Sequence, residues 1–450
     1  MPEIKENKMG TMPIGKLIFT MSIPMVASML VQAFYNIIDS IFVAQFSDAA
    51  LSAVTYAFPA QNLMIGLATG TGVGVNALLS RSLGEKNRER ANRVAENGVF
   101  LALIGYLVFL LFGLFGAEAF IKFQTKTPEV IEQGVAYLST CCIFSFGIFG
   151  EIMFERLMQS TGRTVYTLYT QGIGAIINII LDPIFIFGYF GIPAMGAKGA
   201  AIATVIGQIF AFIMGVILNH FFNKDIKLRL LRFRPDKSII GRIYSIGIPS
   251  VIMMGIGSIM TTSMNKILNG FSEVSVNVFG AYFKLQSFAF MPIFGLNNGV
   301  IPIIAYNYGA KNRERLLRTI RTSVITIVCI MLCALAVLQI IPDKLLSMFS
   351  ASEEMLKIGI PALKTISLSY IFAGVCIGFT SVFQALGKGI YATIMSFARQ
   401  MIVLLPAAYL LSLSGNVDTV WWAFPIAEVM CLLVCGVLFI RLNKNVISKI

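Results

Sequence analysis

Apolar runs long enough to cross a bilayer follow one another from one end of this chain to the other, and they decide what it can fold into. They lie at about 17–45, 54–79, 95–116, 134–157, 164–188, 199–221, 241–268, 277–304, 317–341, 358–383, 391–412 and 421–441. A helix of roughly 20 residues spans a hydrocarbon core of about 30 Å, so each run is a candidate span. Composition agrees: 57% of the residues are apolar, 13% are charged and mean hydropathy is +0.80, well outside the soluble range. The chain therefore reads as an all-α integral membrane protein with twelve transmembrane helices. No cleavable signal peptide is expected, because the first sixteen residues are polar and the first apolar run is too long for one.

A copy of the chain displaced by 225 residues matches the first without a gap. GEKNRER at Gly84–Arg90 recurs as GAKNRER at Gly309–Arg315, Ile23-Pro24 as Ile248-Pro249, and Gln61 as Gln286. Gln159, Gly162 and Tyr166 recur as Gln384, Gly387 and Tyr391. The expected organisation is an N-lobe of six helices over 1–222, a basic linker over 223–240 and a C-lobe of six over 241–450. An even number of helices sets both lobes the same way up, about an axis along the membrane normal. Transporters that rock two lobes around a central site are built this way. No Walker A stretch or nucleotide domain is present, so a pump of this kind would draw on an ion gradient. No catalytic residue set is read, and no cofactor is expected beyond a coupling ion, Na⁺ or H⁺.

The formal charge of +13 raises the question of nucleic acid. Its distribution answers it. With the N-terminus placed inside, one set of loops carries most of the lysines and arginines, and the external set holds Lys122, Lys126, Lys198, Lys344, Lys357 and Lys364. That asymmetry follows the positive-inside rule, with both termini cytoplasmic in the cell membrane. The densest stretch, NKDIKLRLLRFRPDK at 223–237, is expected to lie on anionic headgroups, and the two KNRER loops to brace the inner ends of the lobes through charge pairs. Seven cysteines sit inside apolar runs, with Cys329/Cys333 and Cys431/Cys435 spaced i, i+4. They read as small packing residues, not disulfides or metal ligands. His220, the single histidine, is given no catalytic or metal role.

Ionisable residues read as lying within spans are Asp39, Asp182 and Glu428 against Lys266, Lys284 and Arg399. Each costs about 2.5–3.5 kcal/mol at mid-bilayer, so each calls for a role. At about 1.5 Å per residue, Asp39, Asp182 and Thr204 all fall roughly 8–10 Å below the external face. Asn178 lies one turn deeper than Asp182 on the same helix face. Two carboxylates, an amide oxygen and a hydroxyl are hard ligands. Pro183 cannot donate to the carbonyl of Ile179, which frees one more oxygen. Such a group can hold Na⁺, or a proton shared between carboxylates; a structural polar cluster that fixes helix packing is the plainer alternative. The C-lobe lacks it: Asp39, Asn178 and Asp182 become Met264, Val403 and Ala407. That lobe has Arg399 and Glu428 instead, read as an ion pair between the last two helices or as a substrate gate. Gln61, Gln286 and Lys284 are further candidates for the cavity, Lys284 with snorkelling to the surface as its alternative. The 22 methionines and 36 phenylalanines could line an adaptable cavity, although most must face lipid or other helices.

Over essentially its whole length the chain resembles the MATE (multidrug and toxic compound extrusion) transporters. The resemblance is carried by IPMVASMLVQAFYNIIDSIFVAQF in the first helix, the GEKNRER/GAKNRER pair, QSTGRTVYTLYTQGIGAIINIILDP through the fifth helix and GAAIATVIGQ in the sixth. It implies twelve helices, a cleft between lobes, and export of amphipathic, cationic compounds by Na⁺ or H⁺ antiport. From the DinF-like and archaeal members it also implies an N-lobe cation site, here at Asp39, Asn178, Asp182 and Thr204, and the chain is placed on the DinF/MepA-like side. The NorM-like branch carries acids in the seventh and tenth helices; here the seventh offers Thr261, Thr262, Asn265 and Lys266, and the tenth has none. Expected partners are small amphipathic molecules and the bilayer, not nucleic acid, with the chain acting as a monomer. A flippase for lipid-linked or polyprenyl substrates is the alternative, kept open by Lys266, Lys284 and Arg399. A major-facilitator symporter shares the six-plus-six plan but not its loop signature between helices two and three.

Overall fold

A computed structural model describes residues 7–229, 233–349 and 352–450. The first six residues, and 230–232 of the basic linker, lie outside the described residues. Among those described, ten helices are long and apolar enough to cross a membrane, and two bent pairs bring the number to twelve when each pair is one span. In order, the first six spans are Ile14–Phe46, Asp48–Gly84, Arg88–Phe115, the pair Pro128–Ile143 and Phe146–Ser160, Val165–Phe187 and Ala197–Phe222. The second six are Lys237–Asn269, Glu273–Gly309, Arg313–Ile340, the pair Glu353–Ser367 and Tyr370–Ala385, Gly389–Ser412 and Val417–Lys449.

The repeat holds down to the turns. Ser47 and Ser272 cap the second and eighth spans, each from φ −167° and each accepting from the amide three residues on. Asn87 and Asn312 cap the third and ninth, with Lys86 and Lys311 before them in the left-handed region at φ 56° and 54°. Both bent pairs turn by similar angles, 45° and 49°. The eleventh span departs from the pattern. Its mate, the fifth, is α-helical throughout, whereas Ala398–Leu404 forms a π turn in which the Leu405 amide reaches back to the Gln400 carbonyl. Pro406 follows at once. It has no N–H for the usual i−4 bond, and a wide turn before it lets the helix continue.

The halves meet where the second span packs on the seventh and eighth, and the first on the eighth. Contact is tightest at the end carrying the two KNRER loops, here the basic end. A Cβ on Gly84 would stand 2.0 Å from the Tyr306 carbonyl oxygen, and one on its mate Gly309 2.1 Å from that of Arg81. No residue with a side chain fits there. The Arg81 guanidinium lies over the Tyr308 ring at 4.6 Å. The short segment before the first span ties both halves. Asn7 donates to the Thr161 carbonyl at 3.0 Å, while the carbonyls of Met9 and Met12 accept from Arg315 at 3.1 and 2.8 Å.

The two loops brace this end differently. Glu85 pairs with Arg81 at 2.9 Å and Arg90 at 2.7 Å. In the second loop Ala310 stands in the place of Glu85, and Arg315, the mate of Arg90, turns to the Met9 and Met12 carbonyls and to Asn307 at 3.2 Å. The expected charge pairs thus form in the first loop; the second uses carbonyl acceptors. The linker runs along the third span, with the backbone amides of Lys227, Arg229 and Asp236 donating to Asn92, Glu96 and Asn97.

Candidate functional site

The fifth span presents Asn178 and Asp182 one turn apart, on the face that meets the first and sixth spans. Fifth and sixth spans lie close because a Cβ on Gly207 would stand 2.7 Å from the Gly174 carbonyl oxygen, and one on Gly199 2.4 Å from that of Phe185. This proximity brings Thr204 into reach: the Asn178 amide donates to Thr204 Oγ1 and to Asp182 Oδ1, both at 3.3 Å. The Asp39 carboxyl, from the first span, lies beside the Asp182 carboxyl. Asp182 is fully buried and Asn178 nearly so. Asp39 Oδ1, Asn178 Oδ1 and Asp182 Oδ2 are buried and have no hydrogen-bond partner among the described residues. Two carboxyl groups in contact repel unless a proton or a cation stands between them. The four residues grouped by depth in the sequence are one cluster in space.

A cavity of about 740 Å³ lies between the halves, with Asn178 and Thr204 on its wall. The C-terminal half contributes Gln286, Arg399 and Glu428. Arg399 Nη1 donates to Glu428 at 3.2 Å, an ion pair across the last two spans. Methionines 25, 29, 253, 254 and 260 and phenylalanines 283, 290 and 294 supply an apolar, deformable lining. Two expected cavity residues are elsewhere. Gln61 donates to Tyr137 Oη at 3.2 Å and Cys141 Sγ at 3.4 Å, between the second and fourth spans. Lys284 is exposed, its ammonium 5.8 Å from the centre of the Phe349 ring, so its charge stays outside and rests on an aromatic face. Lys266 is likewise exposed, in the last turn of the seventh span. Depth along a helix does not fix which way a side chain faces around it.

The sequence inventory also left out three ionisable residues that the structure buries on the cavity wall. Glu151, Glu155 and Arg156 are 5%, 6% and 8% exposed, all in the second segment of the bent fourth span. Glu155 accepts from Thr170 Oγ1 at 2.6 Å and from Gln171 at 3.3 Å. Arg156 donates to Gln159 at 2.9 Å and, across the halves, to Asn298 at 3.0 Å. All three fall inside the apolar run at 134–157, and that position is the sequence signal for them. Their repeat mates Cys376, Thr380 and Ser381 line the same cavity.

A family model described as MatE matches residues 24–184 and 249–410, one match in each half. Among curated proteins, the multidrug export protein MepA of Staphylococcus saprophyticus is 26% identical over 415 residues, covering 92% of this chain and 90% of that one. MepA of Staphylococcus aureus is 26% identical over 426 residues, covering 94% and 92%. Among solved structures, one described as the outward-facing conformation of a multidrug resistance MATE family transporter superposes with a TM-score of 0.91 at 24% identity, covering 99% of each chain. A MOP superfamily transporter from Pyrococcus furiosus superposes with a TM-score of 0.89 at 24% identity, covering 98% of this chain and 99% of that one. The chain belongs to the MatE family.

Proposed function

We propose, from membership of that family and the geometry of the cavity, that the protein exports amphipathic, cationic small molecules in exchange for Na⁺ or H⁺. The observation that carries the coupling part is the set of three unpartnered buried oxygens on Asp39, Asn178 and Asp182, beside Thr204 and next to the cavity. A Na⁺ would find hard oxygen ligands there; a proton would find two carboxyls in contact. Either one relieves the repulsion between them, so binding favours the lobe conformation that keeps Asp39 and Asp182 together. A substrate cation in the cavity favours the conformation that parts them. Antiport needs that difference of affinity between two states, and nothing more.

The basic end is assigned to the cytoplasm on the positive-inside rule, with both termini on that side. The lobes are taken as 1–222 and 241–450, rocking about the linker at 223–240. On this assignment the backbone contacts at Gly84 and Gly309 close the cavity towards the cytoplasm. The flippase reading loses two of its three supports, since neither Lys266 nor Lys284 lines the central cavity. Drug-stimulated cation flux in proteoliposomes, with a Na⁺ or a H⁺ gradient imposed alone, tests the proposal. One gradient should drive drug uptake into inside-out vesicles. Equal uptake with neither gradient present would overturn it.

A further inference from the structure

Where the N-terminal half sets Glu151 and Glu155 on the cavity wall, the C-terminal half sets Cys376 and Cys431 there. The repeat mate of Glu151 is Cys376, in the tenth span, and that of Ile206 is Cys431, in the twelfth. Cys376 Sγ, Cys431 Sγ and a carboxylate oxygen of Glu428 all lie within 4.8 Å of one another. All three residues are on the cavity wall, and the two cysteines are 1% and 2% exposed. Glu428 gives one oxygen to Arg399, while its Oε2 is buried without a partner among the described residues. Cys435, also buried, follows one turn beyond Cys431.

We propose that this group is a binding site for a soft divalent metal ion of the Cd²⁺ and Zn²⁺ class, held by the Cys376 and Cys431 thiolates and Glu428 Oε2. Soft thiolate ligands select such ions over Na⁺, Mg²⁺ or Ca²⁺. With metal–ligand bonds of about 2.0–2.3 Å, ligand atoms of a tetrahedral site stand roughly 3.3–3.8 Å apart. A spread within 4.8 Å closes to that by side-chain rotation. The charge balances too: M²⁺ + 2 RSH gives (RS)₂M + 2 H⁺, and Arg399 with Glu428 is already a neutral pair. The ion thus enters without adding net charge to a low-dielectric wall, and its binding releases two protons. Most buried cysteines only pack. These two differ in converging with an unpartnered carboxylate oxygen beside a cavity. Cys329 and Cys333 share the i, i+4 spacing of Cys431 and Cys435 but are exposed, which makes them an internal control. The two halves would then carry cation sites of opposite character, all-oxygen in one and sulfur-rich in the other.

The inference is independent of whether drugs are exported, because it is read by binding alone. The full-length reduced protein in detergent is titrated with Cd²⁺, following the thiolate-to-metal charge-transfer band. One equivalent should saturate it. Cys376→Ser with Cys431→Ser should weaken binding at least 100-fold, and Glu428→Gln about tenfold. Cys329→Ser with Cys333→Ser should change nothing. A parallel Co²⁺ titration of the unmodified protein should give the visible spectrum of tetrahedral thiolate ligation, which keeps the test decisive if the double variant folds poorly. No stoichiometric band in the unmodified protein, a band that survives loss of Cys376 and Cys431, or one that vanishes with Cys329 and Cys333 would overturn the site.

Discussion

Val165–Phe187 and Gly389–Ser412 are mates in the repeat, yet the first is an unbroken α-helix that carries Asn178 and Asp182, and the second passes through a π turn with Val403 and Ala407 in those places. Their neighbours differ in step. Gly174 lets the fifth span touch the sixth at Gly207; its mate is Arg399, which fills that space and pairs with Glu428 on the twelfth. What the halves share is the framework: serine and asparagine caps, left-handed lysines, bent spans and the paired glycines Gly84 and Gly309 where the halves meet at the basic end. What they do not share is every charged group that faces the cavity. Duplication preserved the parts that must fit each other across the two-fold axis, and left free those that face open space.

The sharpest way to break this contrast is at Asp182. Asp182→Asn keeps the volume and removes the charge, so the protein should insert and fold while gradient-driven export falls to near background, as it should for Asp39→Asn. Asn178→Ala and Thr204→Ala remove neutral ligands and should reduce coupled flux several-fold. Introducing Ala407→Asp into Asp182→Asn should restore nothing, because Met264 and Val403 offer the new carboxyl no partners. A well-expressed Asp182→Asn protein exporting at the unmodified rate would leave that carboxyl a packing residue.

Next in size is the C-terminal ion pair. Arg399→Ala strands Glu428 on a partly dehydrated wall, at a cost of about 3 kcal/mol, the lower end for a broken buried pair. Folded yield and thermal midpoint should both drop. Adding Glu428→Ala should recover part of the loss, whereas strictly additive effects would mean that the two do not interact.

A methyl at either backbone contact should cost less, about 1–3 kcal/mol. Gly84→Ala and Gly309→Ala should act alike, because the two positions are mates pressed against each other's half. Spin labels placed across the basic end should report a wider separation in both variants. If only one of them widens it, the halves do not share this contact equally. The smallest expected effect is Glu85→Ala, which makes the first loop like the second. Its ion pairs are partly exposed, so stability should change by no more than about 1 kcal/mol. A larger loss in a denaturation series would give the first loop a part the second does not have.

The twelve spans were legible because hydrocarbon admits a narrow choice of backbone, and a fixed rise per residue turns sequence position into depth. That arithmetic put Asp39, Asp182 and Thr204 at one level, and they are neighbours. It fails for rotation about the helix axis, which packing decides; hence Gln61 and Lys284 face away from the cavity. It also fails where a span bends. Glu151 and Glu155 lie beyond the bend at Phe144 and Ser145, inside a run that the sequence marks, but packing decides that they face the cavity. Nor does a hydrophobic pattern foretell the π turn ahead of Pro406, whose ring carries no amide hydrogen.

The six residues from Asn7 to Met12 are stitched to Thr161 on one side and to Arg315 on the other. A stitch that joins both halves at one end favours the conformer in which that end is shut, and it does so through two side chains, the Asn7 amide and the Arg315 guanidinium, that donate to backbone carbonyls. Anything that pulls this stretch away, such as a purification tag fused ahead of it or a proteolytic nick, shifts the resting balance without touching the cavity. Two preparations of the same chain, tagged at opposite termini, would therefore differ in apparent drug affinity while sharing every residue that meets the drug.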